Sequence, residues 1–183
     1  MKAERLVDRF VDVVNAGHRV RMAADEVPTF LRDGEPDEAS VGWKIVKADN
    51  SARIEALTSQ LPKRFPPSFH YFVSHYSFPA FETRGFMLFA NTGQENFWEL
   101  RKRIFADAHM SATLLKAGFI QIGNPFFYNY DPVCFNTKEG KLEHPIVQLD
   151  HESALQFGET KVVKEIASSF VDFLSSVVTN GDA

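Results

Sequence analysis

Apolar and polar positions along this chain follow two periods, and each change of period marks a new element. Over residues 3–23, Leu6, Phe10, Val13 and Val14 recur at helical spacing between Arg5, Asp8, Arg9 and Asp12, which predicts an amphipathic helix. It turns basic at His18, Arg19 and Arg21. Residues 24–40 carry Asp25, Glu26, Asp33, Glu35, Asp37 and Glu38 with Pro28, Gly34 and Pro36, the composition of an acidic loop or linker. Residues 1–40 therefore read as a helix and acidic linker appended to a domain spanning 41–180.

Trp43 to Lys47 predicts a short strand. Asn50 or Ser51 caps a helix that carries Ile54, Leu57 and Leu61 on one face and stops at Pro62. After Pro66-Pro67, Ser68 opens a second helix with Phe69, Phe72, Val73 and Tyr76 inward, ending near Phe78-Pro79. Gly85 to Ala90 reads as a strand covered on both faces, followed by the turn-former Asn91-Thr92-Gly93. Residues 95–117 hold two helical stripes: Phe97, Leu100, Ile104 and Phe105, then Met110, Leu114 and Leu115. A break falls at Asp107-Ala108 and a stop at Gly118.

Strands are expected at 119–123, 132–136 and 144–149, with Asn136 to Lys141 as a hairpin loop that favours antiparallel pairing. A last helix is expected over 161–178. Lys161 and Lys164 oppose its dipole at about 0.3–1 kcal/mol each. Burying Val162, Ile166, Phe170, Phe173, Leu174 and Val177 stabilises by about 1.5–3 kcal/mol each, so packing decides. The sum is an α+β fold: a twisted, mostly antiparallel sheet with helices packed on it and a C-terminal closing helix.

Composition adds a core and removes several functions. The length of 183 residues suits one domain, or one domain with an appendage. The 18 Phe outnumber all other aromatics together and supply a substantial core. A formal charge of -4 argues against general nucleic-acid binding and is compatible with a basic partner. The single cysteine, Cys134, excludes an internal disulfide and a Cys-based zinc site, and its apolar neighbours predict a buried, inert thiol. The N-terminus lacks the apolar core of a signal peptide, and no run approaches the ~18–20 apolar residues of a membrane span. The expected location is cytoplasmic.

No motif for a known reaction is present: no Gly-rich phosphate loop, nucleophile elbow or zinc-binding histidine pair on a helix. His70 and His75 fall on different faces of their helix. His144 and His151 bracket a strand, and Asp150-His151-Glu152 is the most polar cluster in the sheet half. It reads as a strand-end turn, with a catalytic or metal role as the alternative. Asp131, before Pro132, reads as a turn residue. The loop Phe126-Phe127-Tyr128-Asn129-Tyr130 is almost wholly aromatic. Core packing and a partly exposed binding surface both remain open for it.

Five segments in order carry a resemblance. They are Ile54-Glu55-Ala56-Leu57 with Leu61-Pro62; Pro67-Ser68-Phe69-His70-Tyr71-Phe72-Val73; Ile122-Gly123 with Asp131-Pro132-Val133-Cys134-Phe135; Pro145-Ile146-Val147-Gln148-Leu149-Asp150-His151-Glu152; and Ser168-Ser169-Phe170-Val171-Asp172-Phe173-Leu174. From about residue 43 to 178 the chain resembles the SUKH superfamily, whose Smi/Knr-type domain occurs in a fungal cell-wall synthesis regulator and in many bacterial immunity proteins. It departs at Ser77-Phe78-Pro79-Ala80-Phe81, where members often have a Gly-Gly or similar turn. It departs again at Asn129-Tyr130-Asp131, which replaces a Gly-Asp. Both departures bear on the binding loop.

The resemblance implies an α+β fold that binds other proteins, with no shared catalytic residues. In bacteria this commonly means neutralising a toxin, often a nuclease, encoded nearby. The expected function is a non-enzymatic protein-binding domain without cofactor or metal, most in keeping with an immunity protein. A regulatory adaptor, or a small-ligand or metal-binding enzyme using the His144–Glu152 region, are the alternatives. Candidate partner contacts are Tyr128, Tyr130, Asp131, Glu143, Asp150 and Glu152.

Overall fold

The computed structural model describes residues 3–17, 19–37, 39–83, 85–92, 99–125, 130–138 and 140–180. In chain order the elements are α1 (Ala3–Ala16), β1 (Met22–Ala23), β2 (Arg32–Asp37), β3 (Ser40–Trp43), β4 (Val46–Lys47), α2 (Ser51–Thr58), α3 (Pro67–His75), β5 (Tyr76–Ser77) and β6 (Phe81–Thr83). There follow β7 (Phe86–Leu88), α4 (Glu99–Ile104), α5 (Ala108–Lys116), β8 (Phe119–Pro125), β9 (Val133–Asn136), β10 (Ile146–Leu149), α6 (His151–Phe157), β11 (Val162–Ala167) and α7 (Phe170–Asn180). The α+β class is as expected.

The main sheet has six strands in the order β11-β10-β9-β8-β7-β6, antiparallel throughout. Alternation along its strands feeds two cores. Ile120, Ile122, Val133, Phe135 and Ile146 join α1, α3 and α7 in the large core. Phe119, Cys134, Val147 and Leu149 form a smaller cluster with Leu114 of α5. Rings dominate the large core. Phe69 lies 5.0 Å from Phe135 and 5.2 Å from Phe170, both edge-on. Phe72 stacks on Phe78 at 4.5 Å. Gly123 is required where β7 crosses it: a Cβ there would sit 2.3 Å from the Met87 carbonyl oxygen.

The N-terminal region departs from expectation. The helix stops at Ala16, seven residues before the expected end at residue 23, where Gly17 follows. Arg19 folds back instead, donating to the Asn15 and Val14 carbonyls at 2.5 and 3.2 Å, and so satisfies the helix end. Nor is α1 an appendage. Leu6, Val7, Phe10, Val11 and Val14 are buried, and Phe10 lies 5.7 Å from Phe72 and 6.4 Å from Phe173.

The acidic stretch is not simply a loop. Strands β2 and β3 build a three-stranded sheet in the order β1-β3-β2, and the expected boundary at residue 40 falls inside β3. Two of its acids are neutralised locally: Asp33 pairs with Arg19 at 2.8 Å, and Asp37 with Arg21 at 3.1 Å.

The C-terminal region also differs. Residues 161–178 are not one helix. Gly158, at φ 64, ends α6, and β11 then pairs with β10 before α7 begins. Asp150-His151-Glu152 is not a bare turn but the start of α6, with Asp150 as its N-cap accepting from the Ser153 amide at 3.1 Å. The break at Asp107 is as expected; its side chain caps α5 by accepting from the Met110 amide at 2.8 Å.

Candidate functional site

The candidate residues divide according to whether their polar atoms are already used. Asp131 sits just before β9 and is buried. Its Oδ1 accepts from the His151 amide at 3.1 Å and lies 2.8 Å from His151 Nδ1, while Oδ2 accepts from Gln148 Nε2 at 2.7 Å. One carboxylate thereby ties the β8–β9 connection to β10 and to the first residue of α6.

Asp150 is committed to the α6 N-terminus, with Lys161 Nζ 3.9 Å from its second oxygen. Glu143 is committed at the other end of the sheet strand. Its Oε1 accepts from the Ser68 amide at 3.0 Å and its Oε2 from the Ser68 hydroxyl at 2.6 Å, which places a carboxylate at the N-terminus of α3. These three acids are structural in their visible contacts.

Two candidates face solvent. Tyr130 is 74% exposed, with its ring 6.1 Å from that of His151. Glu152 is exposed in the first turn of α6. Tyr128 lies outside the described residues, as do Phe126, Phe127 and Asn129. The structure thus gathers Tyr130, Asp131, His151, Asp150 and Glu152 at one rim, and puts Glu143 with Ser68 instead.

Sequence reasoning missed the Asp131–His151 contact. No local spacing signals it, since the two are 20 residues apart and meet only because β9 and β10 pair. Asp131 fixes a ring nitrogen of His151, and with Nδ1 protonated the other nitrogen is left as an acceptor. His70 and His75 have separate partners: Glu55 at 3.2 Å and the Tyr71 carbonyl at 2.9 Å. Cys134 is wholly buried, and burial pushes its thiol well above the ordinary range. Among the described residues, no group of three or more His, Cys, Asp and Glu is placed to hold a metal ion. Among the same residues, no helix is long and apolar enough to cross a membrane.

Away from this rim, a cavity of about 650 Å³ lies between the N-terminal sheet and the β6–β7 end of the main sheet. None of the candidate residues lines it. No protein-family model matches the chain, and no curated protein matches it.

Proposed function

We propose that this chain is a non-enzymatic protein-binding domain of SUKH type, acting in the cytosol as an immunity protein that neutralises a bacterial toxin. The observation that carries the binding reading is Tyr130, 74% exposed on a rim that Asp131 clamps to α6, with its ring 6.1 Å from that of His151 and Glu152 exposed at the next position. An exposed aromatic on a rigid support, flanked by acid, suits an interface anchor. The net charge of -4 would steer a basic partner, such as a nuclease, and raise its association rate.

Toxin neutralisation rests on the resemblance. Its sequence segments fall on α2, α3, β8 with β9, β10 with the start of α6, and α7, in one antiparallel sheet with its packed helices. Co-expression with the neighbouring toxin gene tests the whole reading. A stable complex and survival of the host are expected; neither complex nor protection would sink it. Tyr130→Ala with Glu152→Lys is expected to weaken the complex about tenfold or more.

The Asp131–His151 pair favours a second reading, a small-ligand or metal site, because a carboxylate-oriented imidazole is a common base or ligand. Native mass spectrometry of the purified chain decides it: bound metal or small molecule, lost on His151→Ala, would place this reading first.

A further inference from the structure

The cleft between the N-terminal sheet and the β6–β7 end has a mixed lining that selects one class of occupant. Its volume is about 650 Å³. Met22, Met87 and Phe89 give it an apolar side. Asp25, Glu26 and Glu99 bring carboxylates to the same space, against one guanidinium among the described residues, that of Arg103.

Those charges are poorly compensated. Asp25 and Glu26 are exposed in the turn after β1, and among the described residues neither has an ion-pair partner. Glu99 has Lys102 at 3.8 Å, a long contact. The Arg103 guanidinium lies over the Phe89 ring, 6.0 Å from its centroid, so it extends the wall of the cleft.

The lining argues by exclusion. An anion would meet three carboxylates. A purely apolar ligand would strip water from those carboxylates and return no hydrogen bond. A Lys or Arg side chain satisfies both halves, because its methylene stem packs on apolar surface while its head stays polar. Methionine walls adapt to such stems without a fixed shape.

We propose that this cleft docks a basic, partly apolar segment of a protein partner, with Lys or Arg stems against Met22 and Met87 and their heads on Asp25, Glu26 and Glu99. The proposal rests on the reading of the chain as a protein-binding domain, and it adds a second contact surface to the Tyr130 rim.

Fluorescence anisotropy with the full chain tests it, using a labelled octapeptide of alternating Lys and Leu, a Glu and Leu control, and spermine. The Lys peptide is expected to bind and the Glu peptide not. Asp25→Lys with Glu26→Lys, at exposed positions that leave the core untouched, is expected to weaken binding about tenfold or more. Glu165→Lys, on the exposed edge strand β11, is expected to leave it unchanged. Equal loss in both variants would reduce the effect to general charge attraction and overturn the proposal. So would spermine binding as tightly as the peptide.

Affinity capture by the tagged chain separates the two levels. A partner captured by the Asp25→Lys, Glu26→Lys chain as tightly as by the unchanged chain overturns the role of the cleft and leaves protein binding standing. A chain that captures no partner, yet holds the peptide through Asp25 and Glu26, supports the cleft chemistry and counts against the wider reading.

Discussion

The side-chain amides of Asn50 and Asn91 converge on the same two carbonyls, those of Val73 and Tyr76. Asn91 Nδ2 donates at 2.7 Å to each, and Asn50 Nδ2 at 3.2 and 3.1 Å. Both asparagines are buried, at 5% and 1% exposure, so no water competes for the carbonyls. They finish the C-terminal end of α3 from two separate parts of the chain. Asn50 stands at the N-cap position of α2, yet its side chain makes no cap there and is spent on α3.

Each amide partly covers for the other, which predicts non-additivity. Asn50→Ala or Asn91→Ala alone is expected to cost about 1–3 kcal/mol. The double variant is expected to cost more than the sum, because only then do both carbonyls lose side-chain donors. Urea unfolding of the four chains measures this, and simple additivity would refute the shared role.

Glu143 is expected to act in stability. Its carboxylate reaches Ser68 across 75 residues of sequence and satisfies the amide at the start of α3. Glu143→Ala should lower stability by about 0.5–2 kcal/mol, the range for a lost helix cap. The same variant should leave partner affinity unchanged at temperatures where it is folded. A loss of affinity with unchanged unfolding would return Glu143 to the interface.

His144 makes stability depend on pH. Burial holds its ring below the ordinary value of 6.5, opposed by a hydrogen bond with the Arg64 backbone and by Glu143 nearby, with Lys63 adding to the depression. Its Nδ1 is buried without a partner among the described residues. The unfolded chain therefore takes up this proton first as pH falls. The contribution is complete above 6.5 and is lost as pH drops through the lower folded value. Replacing His144 with Leu should flatten the difference between urea midpoints at about pH 7.5 and about pH 5. An identical slope in both chains would remove His144 as the cause.

The apolar stripes made most of this fold legible, and the failures share a cause. Where a face is buried, as with Phe69, Phe72 and Val73 of α3 or Ile120 and Ile122 of β8, period and burial agree. Over 161–178 the expected helix counted Val162 as buried, yet it is 47% exposed. The dipole mismatch of Lys161 and Lys164 was the better signal, and so was Ser169 with Asp172. The Ser169 hydroxyl accepts from the Asp172 amide at 3.0 Å and donates back to its carboxylate at 2.8 Å, which starts α7 there. Hydrogen bonding from Ser168 and Ser169 in turn holds the Asp172 carboxyl below its ordinary range. In the same way, Asp150 with Ser153 marked α6. At the candidate site, the residues were legible as polar strand ends. Their partners were not: Ser68 meets Glu143 only because α3 packs on the sheet, and Asp131 meets His151 only because β9 and β10 pair.

The edge strand β11 yields the last prediction. It closes one end of the six-stranded sheet, with Val162 and Val163 exposed at 47% and 54%. An apolar edge of this kind invites pairing with another chain. Two features oppose that here. The register with β10 is broken between Ile146 and Val147 and again between Gln148 and Leu149, and such bulges twist an edge away from a flat partner. Lys164 and Glu165 also stand exposed at its centre. A symmetric antiparallel copy centred on either residue would bring like charges face to face. Lys164→Val with Glu165→Val removes the charges and keeps the bulges. Light scattering of the variant should then give a larger average mass than the unchanged chain at the same concentration, rising with concentration. Identical masses across the range would mean that the bulges alone protect the edge, and the charges would need another explanation.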